Sequence, residues 1–173
     1  MVVTALKLNV IQDVVRRRRV ALGEIPPEDA KLAAAFAYWQ AKRRSGMLPA
    51  RKDIDILELR PLIGTTHMVD VSDPAPKNYR VRLHGGSVPP DVEKKMNNRT
   101  LDQCGSKIMG DTLMEDYGAV AFTGVPSFHH VIMSIDMIRH SYSRLVLPLA
   151  DDGRKVDTLM VCFNRREFSD FRL

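Results

Sequence analysis

Hydrophobic and polar positions change rhythm several times along the chain. From Thr4 to Leu22 two periods overlap: Leu6, Leu8 and Val10 alternate as in a strand, while Leu8, Ile11, Val15 and Leu22 recur at helical spacing. Both readings stay open for this segment. Gly23 and the Pro26-Pro27 pair break the pattern and divide an N-terminal extension, residues 1–27, from a domain over 28–173. From Glu28 to Ser45 the signals agree on a helix. Acidic residues open it, Leu32, Phe36 and Trp39 form an apolar stripe, and Lys42, Arg43 and Arg44 complement the dipole before Gly46 stops it. The next stretch, MLPARKDIDILELRPLIG, is proline-bounded and irregular, with one short helical turn around Ile56, Leu57 and Leu59.

Beyond it the rhythm becomes that of strands. Thr65 to Val71 is β-rich, and Tyr79, Val81 and Leu83 alternate with Arg80, Arg82 and His84, so the two runs form a hairpin whose turn is supplied by Asp73, Pro74, Pro76 and Asn78. Gly85 to Gly110 is polar and weakly patterned, with room for short helices only. Met109, Leu113, Tyr117 and Val120 then mark a longer helix ending near Gly124. Three β-rich runs follow, Ser127 to Ile135, Ser141 to Leu149 and Val156 to Phe163. Asp152-Gly153 makes a tight turn between the last two, because glycine tolerates positive φ.

A helix, two strands, a helical middle and three strands is the order of a PAS domain. Particular residues narrow the likeness: Tyr38-Trp39, LPARKDIDILELRPLIG, YRVRLHGG, Arg99-Thr100-Leu101-Asp102 and SRLVLPLADDGRKVD. Together they resemble the PAS_5 family of bacterial stand-alone PAS proteins, over roughly Ala30 to Val161. The resemblance implies an α+β fold, a five-stranded antiparallel sheet with helices over one face, a cavity between them, and an N-terminal helix available for homodimer contacts. On that fold the expected cavity residues are Leu83, Leu113, Tyr117, Val120, His130, Ile132, Leu145 and Met160. The methionines spread over the same segments, Met68, Met96, Met109, Met114, Met133, Met137 and Met160, fit either an adaptable pocket for a small apolar ligand or the filling of a core poor in aromatic residues.

Composition adds bounds to this picture. The chain of 173 residues has 45% hydrophobic and 27% charged residues, the balance of one folded globular domain. Cys104 and Cys162 are the two cysteines, too few for a disulfide framework, and a reducing cytoplasm is the expected location. No apolar run is long enough for a transmembrane segment. The net charge of +5 owes much to Arg16, Arg17, Arg18 and Arg19, a run that reads as a solvated face or a partner contact; nucleic acid is disfavoured.

Candidate chemistry weakens on inspection. His129 and His130 are adjacent on a predicted strand, point to opposite faces and cannot share a metal ion. The resemblance makes haem disfavoured, since the predicted helix Ile108 to Thr123 carries no histidine, and flavin too, since DQCGSK lacks the asparagine-cysteine-arginine-phenylalanine setting of light-sensing relatives. GxSxG and GxxxxGK[ST] are absent, and His84-Gly85-Gly86 alone makes no oxyanion loop, so the chain is not read as an enzyme. In the LPAR…DI…LRPL block, Arg51, Arg60, Asp53, Asp55 and Glu58 can form an internal clasp holding the leading helix to the sheet. The expected function is a sensory or regulatory module that binds a small molecule or a signalling protein partner and relays a signal through protein contacts. No output domain fits in the remaining residues. The alternative is a ligand-free interaction scaffold whose cavity is filled by its own side chains.

Overall fold

The computed structural model describes residues 14–71, 73–83, 96–135 and 138–165. Leu6, Leu8, Val10 and Ile11 of the ambiguous first segment, Met137 and the His84-Gly85-Gly86 turn lie outside the described residues. Six strands, β1 (Val14–Val20), β2 (Thr66–Asp70), β3 (Arg80–Leu83), β4 (Ser127–Ile135), β5 (Ile138–Leu149) and β6 (Thr158–Arg165), form one sheet in the order β1-β4-β5-β6-β2-β3. Every neighbouring pair is antiparallel. Two α-helices, α1 (Ala30–Lys42) and α2 (Lys107–Thr123), and several 3-10 segments, the longest Ile56–Thr65, complete the described fold.

The α+β class holds, with a sixth strand beyond the five expected. That strand is β1, drawn from the segment in front of residue 28. It pairs with β4 from Val14↔Ser134 to Val20↔Phe128, which selects the strand reading for this part of the segment. Strand geometry divides the arginine run: Arg17 reaches carboxylates of α2, while Arg18 Nη2 lies 3.3 Å from His130 Nδ1 on the other face.

The helices occupy both faces of the sheet, not one. The central strands are apolar on both sides, so each face needs a cover. Met68, Phe128, Leu145, Leu147, Leu149, Met160 and Cys162 meet Leu32, Ala35 and Trp39 of α1, with Ile54, just after the turn Arg51–Asp53, and Leu59 and Leu62 of Ile56–Thr65. On the opposite face Val69, Val81, Val146, Leu159 and Val161 meet Leu113, Tyr117 and Val120 of α2.

Local chemistry fixes the connections. Trp39 Nε1 donates to the Pro148 carbonyl at 2.9 Å, tying α1 to β5. Proline in a central strand is tolerated here because β4 pairs no further than Val146, and a residue's N and carbonyl point to the same side of a strand; with its carbonyl facing Trp39, Pro148 has no ladder bond to lose. The proline-bounded block is clasped through its acidic residues and not through the arginine donors expected: Asp53 Oδ2 accepts from Ala50 N, Asp55 Oδ1 from Leu57 N, and the Tyr38 hydroxyl from Asp55 N, each at 2.9 Å, with Lys42 of α1 paired to Glu58 at 3.0 Å. Arg51 donates locally to the Ile54 carbonyl, and Arg60 is exposed. In the β5–β6 turn Gly153 takes φ +75°, and Asp152 Oδ1 accepts from both Arg154 N and Lys155 N at 2.8 Å.

Candidate functional site

The buried ionic groups of the α2 face converge where β1, β4 and α2 meet. Asp116 is one turn from Leu113 and Val120 on the inward side of α2, so a carboxylate occupies a core position. Its two oxygens are shared. Oδ1 lies 2.9 Å from Arg17 Nε, and Oδ2 accepts from Arg144 Nη2, a buried arginine of β5. Arg17 Nη2 also reaches Glu115 Oε2 at 2.7 Å. The Arg144 guanidinium lies over the Tyr117 ring, 5.2 Å from its centroid, where the negative π face offsets part of the desolvation of the cation. Removing one member of such a buried pair leaves an uncompensated charge, so β1, α2 and β5 are joined by groups that depend on one another.

His129 completes the cluster. Its Nε2 faces Asp116 Oδ1 at 4.0 Å. Burial is the chief cause of a pKa lowered to about 4; Asp116 opposes the shift, and Arg144, Arg17 and Arg19 reinforce it. The ring is therefore neutral at pH 7, and the tautomer with its proton on Nε2, towards the carboxylate, leaves Nδ1 as an acceptor. Burial likewise raises the Tyr117 phenol above its usual range, keeping it protonated.

Beside these groups is a cavity of about 440 Å³, open to solvent on one side and lined by Arg17, Arg19, Glu115, Asp116, Ser127 and His129, with Ala119, Val120 and Val125 as its apolar wall. The volume is in the range of small-molecule sites. Ser127 Oγ, His129 Nδ1 and Tyr117 Oη are buried without a hydrogen-bond partner among the described residues. Buried polar atoms are satisfied in the great majority of cases, so three orphans in one region mark a place able to take a ligand or ordered water.

The eight expected cavity residues do not share one lining. Leu113, Tyr117 and Val120 come together under α2, and Val120 reaches the cavity wall. Leu145 and Met160 belong to the core beneath α1. His130 is also on that side, where its Nε2 lies 3.4 Å from Asp29 Oδ2. Ile132 follows it in β4 two positions on and shares its face by strand alternation. Leu83 falls on β3, and its side chain is outside the described set. The methionines divide too, Met68 and Met160 in the core under α1 and Met96, Met109 and Met114 in the core on the α2 side, while Met133 of β4 is half-buried and in neither. His129 and His130 point to opposite faces, as adjacent strand residues do.

Sequence reading passed over Arg17, Asp116, His129 and Arg144 as a group. A signal was present: Asp116 interrupts the stripe Leu113-Tyr117-Val120, and Arg144 shares a strand face with Val146. Opposite charges at two core positions of different elements indicate a buried pair.

The remaining chemistry is quiet. Cys104 and Cys162 are buried thiols whose pKa burial pushes up to about 11, far from the thiolate character of a reactive cysteine. Among the described residues no three His, Cys, Asp or Glu side chains are grouped to hold a metal ion, and no helix is long and apolar enough to cross a membrane.

No curated protein and no solved structure matches the chain. A family model does match, over residues 28–101, which run from the turn before α1 through β2 and β3 to Leu101. The strands beyond the match, β4 to β6, complete the antiparallel sheet into which β2 and β3 are built. The family is PAS_5, described as a PAS domain, and residues 28–101 of this chain match its model.

Proposed function

We propose that the chain is a sensory or regulatory PAS module in which occupancy of the site between β1, β4 and α2 alters the contacts that β1 and α1 offer to a partner protein. PAS domains are in general sensory and signalling modules, not catalysts, and the family match supplies that coarse assignment. The observation that carries the finer reading is Arg17. One guanidinium joins the edge strand β1 to Glu115 and Asp116 of α2 at the wall of a cavity, so a molecule that competes for those groups also changes how β1 is held.

In this reading residues 28–173 form the sensing unit, and the strand drawn from residues 1–27 is its reporting arm. The outward side of α1 carries Ala30, Ala34, Ala37 and Ala41, small residues at helical spacing that allow a second copy or a signalling protein to approach closely. The cytoplasm is the proposed location. The output passes through protein contacts.

A second reading, a ligand-free interaction scaffold, is favoured by one observation: the space between α2 and the sheet centre is filled by Leu113, Tyr117, Val120, Val146 and Val161, all buried. Native mass spectrometry of the purified full chain, followed by denaturation and small-molecule analysis of what is released, separates the two. The sensory reading predicts a retained or titratable small molecule whose release accompanies loss of protection in β1. A chain that binds none, and whose partner contacts persist unchanged when Arg17 is replaced, contradicts it.

A further inference from the structure

Charge around the cavity does not balance. Arg17, Arg19 and Arg144 bring three cations to the region, Glu115 and Asp116 two anions, and His129 is neutral at pH 7. Both carboxylates are engaged, Glu115 by Arg17 and Asp116 by Arg17 and Arg144. Arg19 lines the cavity opposite His129, its cross-strand neighbour, and no carboxylate lies within 4.0 Å of it among the described residues. The structure thus presents one unpaired guanidinium at the mouth of a concave site.

Two observations independent of charge point the same way. Ser127 Oγ and His129 Nδ1 are buried and have no hydrogen-bond partner among the described residues. Their residues, each less than a tenth exposed, sit two apart on β4, share a face of the strand and both line the cavity. Leaving such groups unsatisfied costs free energy that a hydrogen-bonding occupant recovers. Ala119, Val120 and Val125 add apolar lining to the same cavity.

We propose that this cavity binds a small organic monoanion, a carboxylic acid of about four to eight carbons bearing a hydroxyl group. Its carboxylate takes the planar fork of Arg19, its polar substituent reaches Ser127 Oγ and His129 Nδ1, and its hydrocarbon body lies against Val120 and Val125. An arginine fork matches a carboxylate in geometry as well as charge. A dianion overbalances the single excess cation and meets Glu115, and a cation meets Arg19. The assignment deepens the sensory reading above and rests on it, since it names the class of molecule sensed.

Thermal-shift and calorimetric titration of the full chain test it, with 3-hydroxybutanoate and 2-hydroxyhexanoate as probes, the corresponding neutral amides and inorganic phosphate as comparisons, and Arg19→Gln and Ser127→Ala as variants. Arg19 is exposed and the Ser127 hydroxyl has no hydrogen-bond partner among the described residues, so neither replacement removes a polar contact seen to hold the described fold. A hydroxy acid is expected to raise the Tm and bind saturably, with affinity about 10-fold or more weaker in Arg19→Gln. The amides and phosphate should bind at least about 10-fold more weakly than the hydroxy acids. Labelled His129 should shift its ring nitrogen resonances in wild type. Absence of binding by both hydroxy acids, equal binding of the amides, or affinity unchanged in Arg19→Gln overturns the assignment. Retention of a neutral molecule by the purified chain also overturns it, while leaving the sensory reading in place.

Discussion

Asp29 shows how far one side chain's role departs from its first impression. As an acidic residue at the start of α1 it reads as a partner of the helix dipole. In the structure it is fully buried, and its oxygens accept from Ser143 Oγ and Asn164 Nδ2, each at 2.7 Å, with His130 Nε2 3.4 Å away. The α1 face of β4, β5 and β6 is anchored at this carboxylate. Asp29→Ala leaves those donors buried without their acceptor and is expected to lower stability by about 3 kcal/mol in urea unfolding, near the range for breaking buried polar networks; a loss below about 1 kcal/mol would place the group in a far weaker role. On the other face His129 gives a pH prediction. Its folded pKa of about 4 lies below the ordinary histidine value of 6.5, so in that window the unfolded chain binds a proton that the folded chain refuses. Its contribution is therefore fully present above pH 6.5 and fades as pH falls towards 4, by up to about 3 kcal/mol. Urea midpoints at pH 7 and pH 4.5 should differ more in wild type than in His129→Gln, with Arg17, Arg19, Arg144 and Asp116 as the charged neighbours in both proteins. Equal pH dependence in the two contradicts the burial of a neutral ring.

Among elements, strands were the most legible part of the chain, because alternation in β2 to β6 is dictated by faces that are buried or satisfied, and the Asp152-Gly153 turn carries its own conformational signal. The bounds of β4 were read to the residue, and those of β5 and β6 shifted by a few positions. β1 was open to two readings because the partner that decides between them, the free edge of β4, is a tertiary fact that no local period contains. The two-sided cover of the sheet was missed for a related reason. Leu145, Val146, Leu147 and Leu149 form an almost continuous apolar run, which announces burial on both sides without saying which helix covers which. Helix α2 carries a tighter constraint. A Cβ at Gly110 would lie 2.9 Å from the Leu101 carbonyl oxygen, a backbone atom that cannot swing aside. Gly110→Ala is thus expected to lower stability by about 1–3 kcal/mol despite alanine's better helix propensity, and chemical denaturation reads the sign directly. A stabilised variant would show that α2 and the turn Leu101–Gln103 are not in this close approach.

Across the whole molecule, the sheet is a partition between two layers joined by unlike chemistry. The α1 side is closed by an apolar core, the Trp39 bond to Pro148 and the Asp29 anchor; the α2 side combines an apolar core with ionic groups opening onto a cavity. The family-like motifs fall mainly on the first layer, in the clasp between α1 and the sheet, so sequence recognised the scaffold better than the site. The site draws Arg17 from outside the family match and Asp116, His129 and Arg144 from beyond its end, four positions brought together only by folding. The account turns on β1 being held by its ladder to β4 and by Arg17 to α2, so that a change at that site changes how β1 is held. Hydrogen–deuterium exchange across β1, compared between the full wild-type chain and Arg17→Gln, tests this most directly. The expected result is exchange about 10-fold or more faster in residues 15–20 of the variant, with β5 and β6 unchanged; β1 amides equally protected in both proteins would contradict it.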